Sequence, residues 1–332
     1  MNILSLFDGI SCGRIALERA GIKIDTYFAS EIKKDSIKVS KDNYPDIVQL
    51  GDVTKIDFYK LPKIDLLIGG SPCQDLSQAN SERLGLKGNK SSLFWYYVKA
   101  LKELKPKYFL LENVYMPKTD YEIISKEVGT YPVRINSSLV SAQLRDRFYW
   151  TNIGPEDYDL LGNRYCGIPQ PLDKNIKLQD ILENGITDRN KSRTLLESDS
   201  RPLKNKKNIL HRYFNTGFTT VVFEKELSEY AQKKIKERLK GKCPVAYNWF
   251  NDRELNEKSG TIISNDGWSG KGTTLIVEEN NVRYLTQLEL ERLQTLPEGY
   301  TKVLNRNKAA SCIGDGWTVD VIAHIFSFME KK

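Results

Sequence analysis

Residues 64–77 read Ile-Asp-Leu-Leu-Ile-Gly-Gly-Ser-Pro-Cys-Gln-Asp-Leu-Ser, and no other stretch narrows the choice of fold so far. A continuous apolar run closed by Gly69-Gly70 reads as a buried strand that ends in a sharp turn. Strands of this kind belong to mostly parallel α/β sheets, which bind ligands outside the carboxyl ends of their strands. Cys73 therefore falls where a crevice forms. Pro72 fixes its own φ and pushes Ser71 toward extended backbone, which holds the following sulfur in a defined place. On these residues alone, Cys73 is either a nucleophile or an inert thiol in a small-residue turn.

The chain before this stretch has the same rhythm. Residues 3–7 read as a first strand, followed by Asp8-Gly-Ile-Ser-Cys-Gly13 and a helical period in Ile15, Leu17 and Ala20 that stops at Gly21. Strand, glycine turn and helix make a nucleotide-type half unit, although the spacing is not G-x-G-x-x-G. Residues 24–29 form a second strand ending at Glu31, where α/β cofactor sites place an acid for ribose hydroxyls. A third strand-like piece at 47–50 runs into Asp52.

After the Cys73 turn, Ser91 begins a helix with an apolar face of Phe94, Val98, Leu101 and Leu104 that ends before Pro106. Residues 108–114 are then an apolar strand carrying Glu112 at its carboxyl end. Three strands thus end at Asp52, Cys73 and Glu112 on one rim. Residues 133–140 and 147–151 read as a further pair of strands. Gly154-Pro155 breaks the alternation, and residues up to about 280 read as an irregular domain with one basic helical stretch, 229–239, and a glycine-rich run, 259–272. A helix through Glu289 and Leu293 ends near Pro297, and a last helix, 319–328, is apolar enough to return to the first sheet. The boundaries expected are 1–155, 156–282 and 283–332.

The 332 residues are enough for one large or two unequal domains. No apolar run approaches the ~20 residues that span a membrane, and the N-terminus lacks a signal-peptide layout, which points to a cytoplasmic protein. Five widely spaced cysteines without a C-x-x-C pair argue against disulfides and metal and for a reducing compartment. With two histidines, His211 and His324, Cys-His proteolysis has little to build on; His324 reads as a packed helix residue. The net charge of +7 is local, since residues 201–242 hold twelve basic and four acidic side chains, a surplus of eight. Interleaved with Tyr213, Phe214 and Phe218, that segment reads as a phosphate-contacting surface or as a solvated helix face.

The motifs in order, Phe7-Asp-Gly-Ile-Ser-Cys-Gly13, Gly69-Gly-Ser-Pro-Cys-Gln-Asp-Leu-Ser77, Leu111-Glu-Asn-Val114, Gln143-Leu-Arg-Asp-Arg147, Arg283 to Pro297 and the final Gly-Asp-Gly-Trp-Thr-Val, resemble those of DNA cytosine carbon-5 methyltransferases. The similarity spans nearly the whole chain except about 155–260, where that family keeps its variable target-recognition region. Several motifs look most like the catalytic domain of the animal de novo enzymes, in a chain as short as bacterial or phage ones; Gln143 before Arg145 follows the bacterial form.

The resemblance implies a Rossmann-like S-adenosylmethionine-dependent methyltransferase sheet, mostly parallel with helices on both faces, plus a smaller irregular target-recognition domain. It implies that Cys73 adds to carbon 6 of cytosine, since carbon 5 is too poor a nucleophile until the ring is activated. Glu112 would act at ring nitrogen 3, where negative charge builds. Arg145, and after it Arg147, would orient the base carbonyl and a phosphate. The cofactor implied is S-adenosyl-L-methionine, with Phe7, Gly9, Ile10 and Cys12 along its path and Glu31 on the ribose. Ile32 and Val53 would flank the adenine, Asp52 would bond its amino group, and Leu93, Asp315 and Trp317 would complete the wall. No metal is expected. The partner implied is double-stranded DNA, with the base flipped out of the stack and residues 74–92 closing over it. Both a cognate restriction endonuclease and a solitary, nucleoid-associated existence are compatible with the chain. Other readings are a transfer RNA cytosine methyltransferase, against which the basic insert argues; a catalytically silent DNA-binding paralogue, against which the presence of Cys73, Glu112 and Arg145 argues; and a nucleotide-dependent oxidoreductase, against which the missing fingerprint glycines argue.

Overall fold

The structure is a computed structural model that describes residues 1–71, 93–158, 160, 162–187, 189–195, 200, 220–223 and 282–330. From the N-terminus the chain runs through β1 (Asn2–Leu6), α1 (Cys12–Arg19), β2 (Thr26–Ser30), α2 (Lys34–Asn43), β3 (Val48–Gln49), β4 (Leu66–Gly70), α3 (Phe94–Leu104), β5 (Tyr108–Val114), α4 (Lys118–Val128), β6 (Val133–Asn136) and β7 (Asp146–Thr151). Short strands β8 (Glu156–Tyr158), β9 (Arg164–Cys166), β10 (Val222–Phe223) and β11 (Val282–Arg283) follow, then helices α5 (Gln287–Leu293), α6 (Arg306–Asp315) and α7 (Val319–Phe326).

Strands β1 to β7 form one sheet in the order β3-β2-β1-β4-β5-β7-β6. Only β7 runs against its neighbours, so the sheet is mostly parallel, as the apolar runs predicted. The strand order reverses between β1 and β4, which opens a crevice at their carboxyl ends.

The period-two pattern of each strand builds two cores. Ile3, Leu66, Ile68 and Leu110 lie in one cluster, with Ile15 and Leu17 of α1 and Val321, Ile322, Ile325 and Phe326 of α7. Leu4, Leu6, Leu67, Phe109 and Leu111 lie in the other, with Phe94, Tyr97 and Val98 of α3 and Ile124 and Val128 of α4. Each fully buried side chain of this size stabilises the fold by ~1.5–3 kcal/mol relative to exposure. The last helix is held against the first: Arg19 Nη1 pairs with Asp320 Oδ1 at 2.6 Å.

Helix ends follow the local chemistry. Thr286 and Glu289 form a reciprocal capping box at the start of α5, and α3 ends at Lys105 in the left-handed conformation, just before Pro106. His324 has the structural place expected of it, its Nε2 donating to the Pro169 carbonyl at 2.8 Å and its ring edge-on to Phe328. The basic helical stretch 229–239, the glycine-rich run 259–272 and nearly all of the basic segment 201–242 lie outside the described residues. Among the described residues no helix is long and apolar enough to cross a membrane.

Candidate active site

The turn between β1 and α1 runs through Phe7 (φ 58°), Gly9 (φ 60°) and Ser11 (φ 61°), all left-handed. Glycine accepts that conformation freely, whereas for an aromatic residue it is held only by its surroundings. Glu31, at the end of β2, supplies much of the hold. Its Oε2 accepts from Gly9 N at 2.8 Å, and its Oε1 from Ile32 N at 2.7 Å and Lys33 N at 2.8 Å. Beneath the turn, the Asp8 carboxylate accepts from Ser11 Oγ at 2.5 Å and Tyr27 OH at 2.8 Å. Burial pushes its carboxyl up to about 6, against the pull of those hydroxyls.

The other residues expected along a cofactor path are placed as follows. Asp52 caps the short turn after β3, its Oδ1 accepting from Thr54 N at 3.0 Å and Thr54 Oγ1 at 2.8 Å; those bonds hold its carboxyl below the usual value. Val53 is buried beside it, while Ile32 is 70% exposed and so offers an apolar surface at the end of β2. Ile10 is buried, with its carbonyl accepting from Tyr300 OH at 2.7 Å. Leu93 caps α3. Asp315 pairs with Lys33 at 2.7 Å, which ties α6 to the residue two past Glu31. Cys12 is buried, and burial pushes its thiol up to about 12, so it stays protonated and unreactive at neutral pH.

Glu112 stands at the other side of the crevice, on β5 and in register with Gly70 of β4. It is 8% exposed, and both oxygens are engaged. Arg147 Nε lies 3.0 Å from Oε1; Trp317 Nε1 donates to Oε2 at 3.2 Å. Gly70 is required here, because a Cβ would come within 2.9 Å of Trp317 Nε1 and 3.0 Å of Glu112 Oε2. Next to it, Asn113 Nδ2 donates to Ser71 Oγ at 3.1 Å, while Asn113 Oδ1 accepts from Val114 N at 2.8 Å. Asn113 thus tethers the chain two residues before Cys73, a role the sequence offered only through its place in Leu-Glu-Asn-Val. Cys73 itself and residues 74–92 lie outside the described residues.

The two arginines expected to face the base part company. Arg147 reaches Glu112. Arg145 is buried and spends its guanidinium on backbone carbonyls: Nη1 on Leu195 O and Gly314 O, each at 3.3 Å, and Nη2 on Gly316 O at 3.0 Å. Gln143 and Gln294 extend this network. Gln143 Nε2 donates to Gln294 Oε1 at 3.2 Å, Gln143 Oε1 accepts from Leu195 N at 2.9 Å, and Gln294 Nε2 donates to Gly316 O at 3.2 Å.

Comparison with known proteins bears on the family and the fold. Residues 1–331 match the family model described as C-5 cytosine-specific DNA methylase. The chain is 29% identical to the orphan methyltransferase M.SPRI of Bacillus phage SPR, over 94% of this chain and 74% of that one. It is 28% identical to the type II methyltransferase M1.ScrFI of Lactococcus lactis subsp. cremoris, over 97% and 76%. Among solved structures, the Entamoeba histolytica methyltransferase EhMeth superposes with a TM-score of 0.64 at 15% identity, covering 99% of this chain and 97% of that one. The S. pombe Dnmt2 methyltransferase does so at 0.60 and 14%, covering 98% and 97%. At those identities the superpositions speak for the fold alone.

Proposed function

The chain belongs to the C-5 cytosine-specific DNA methylase family, and from that membership we propose how its residues carry the work of a DNA cytosine-5 methyltransferase. The observation that carries the reading is Glu112, a nearly buried carboxyl at a strand end, gripped on both oxygens beside the glycine that leads into Ser-Pro-Cys73.

Cys73 adds as thiolate to carbon 6 of a cytosine turned out of the duplex, which makes carbon 5 nucleophilic. Glu112 holds a proton at ring nitrogen 3, where negative charge collects as the carbon–sulfur bond forms. Arg147 fixes the plane of that carboxyl and presents its remaining N–H groups to the base carbonyl. Once carbon 5 is substituted, loss of its proton lets Cys73 leave.

The family and fold are those of S-adenosylmethionine-dependent methyltransferases, and the residues at the β1 and β2 ends fit that molecule. Glu31 is oriented by three backbone N–H groups and keeps acceptor capacity on Oε2 for a ribose hydroxyl. Ile32 and Val53 offer apolar contact for the adenine and Asp52 a carboxylate for its amino group; Phe7, Gly9, Ile10, Cys12, Leu93, Asp315 and Trp317 complete the wall. When bound there, the cofactor supplies an electrophilic methyl group on a sulfonium.

Residues 156–282 form the target-recognition region on this reading, with the basic segment 201–242 on the DNA backbone. The protein acts in the cytoplasm at the nucleoid, with or without a cognate restriction endonuclease.

The test is bisulfite sequencing of random-sequence duplex DNA after incubation with the protein and S-adenosyl-L-methionine, with Cys73→Ala as control. Cytosines protected in one recurring context, and none with the variant, are expected. Protection by the variant removes the covalent mechanism; no protection of DNA, with methylation of transfer RNA, replaces the substrate.

A further inference from the structure

We propose that Trp317 is a positioning residue for Glu112, in addition to any contact it makes with the cofactor. This rests on the reading of Glu112 given above. The indole Nε1 donates to Oε2 at 3.2 Å while Arg147 Nε holds Oε1 at 3.0 Å, so the carboxyl is pinned from two sides and its plane is set. Oε2 has two lone pairs, and the indole uses one, which leaves the other side of that oxygen for the base.

Trp317 can orient Glu112 because it is itself held. Its ring lies over Gly70, where a Cβ would come within 2.9 Å of Nε1, its far edge packs against Gly13, and the carbonyl before it accepts from Arg145 and Gln294. These contacts come from α1, β4, the entry to β7 and the residue that ends α5. A donor fixed in this way loses no freedom when the base arrives, which is what makes a preorganised hydrogen bond effective.

The readout is exchange of the carbon-5 tritium of cytosine in duplex DNA into water without cofactor, because exchange follows adduct formation and owes nothing to methyl transfer. Trp317→Phe is expected to slow exchange on the order of tenfold, the size of one lost hydrogen bond. Replacement of Trp317 by β-(3-benzothienyl)alanine keeps the ring shape and removes only the donor, and should reproduce the exchange defect if Trp317→Phe folds poorly. In a Glu112→Gln background the same change should add little, since both act through one group. Unchanged exchange with the donor removed, or a defect that adds in full to that of Glu112→Gln, overturns the proposal. Absence of exchange by the unmodified protein on any DNA would instead fault the functional reading.

Discussion

Arg145 Nη2 donates to the carbonyl of Gly316 across 3.0 Å, so the residue before Trp317 is clamped by a side chain from the entry to β7. The same guanidinium reaches Gly314 and Leu195. One buried cation thus joins three segments far apart in sequence. A guanidinium can do this because its N–H groups lie in a rigid plane and point to several acceptors at once, where an ammonium is a single point.

Arg145→Met should therefore weaken the fold. Three carbonyls lose a charged donor in a buried place, and the expected cost is about 3 kcal/mol. The denaturant midpoint measures it, and a midpoint equal to that of the unmodified protein would show that the carbonyl clamp contributes nothing to stability.

Arg147→Lys should do the opposite. The side chain is partly buried beside Glu112 and carries none of the carbonyl clamp, so the melting temperature is expected to move little. The rate constant for methyl transfer is expected to fall about a hundredfold, as when one preorganised donor is lost from a developing charge. Single-turnover kinetics at saturating DNA reads this directly; a loss confined to DNA affinity would make Arg147 a phosphate contact only.

How far the sequence foretold this depends on where the information lay. Strand β5 occupies 108–114 as expected, because its apolar run and terminal Glu112 are local facts. Helices α2 and α6 had no such mark. The first buries Ser36, Val39 and Ser40, and the second Ala309, Ala310, Cys312, Ile313 and Gly314; small and polar residues in contact with the core leave no apolar stripe to read. The division of labour between Arg145 and Arg147 was hidden for another reason. Its cause is the carbonyls at 314 and 316, which only the folded chain brings near.

Glu31→Gln should cost cofactor affinity. The carboxylate accepts from three backbone N–H groups with its two oxygens, while an amide has one acceptor oxygen and must turn an NH2 toward donors. The turn at Gly9 loses its anchor, and the affinity for S-adenosyl-L-methionine is expected to fall about tenfold or more. Calorimetric titration measures it, and an unchanged affinity would remove Glu31 from the cofactor site.

Asp8 makes stability depend on pH in a direction opposite to that of most carboxylates. Burial raises its carboxyl from 3.8 to about 6, so between those values the folded chain keeps a proton that the unfolded chain has lost. Its contribution is complete below pH 3.8 and is lost as pH rises through 6. Above that, folding must accommodate a buried charge met by Ser11 and Tyr27 hydroxyls but by no cation among its principal influences. Asp8→Asn removes the charge and keeps an acceptor for either hydroxyl. The difference in melting temperature, variant minus unmodified protein, should rise from pH 4 to about pH 7 and then level off. The corresponding difference in unfolding free energy is at most ~3 kcal/mol for a rise from 3.8 to about 6. A difference that stays flat would mean the Asp8 carboxylate ionises as it does in water, and one that falls would mean that the Asp8 charge is stabilised in the folded turn.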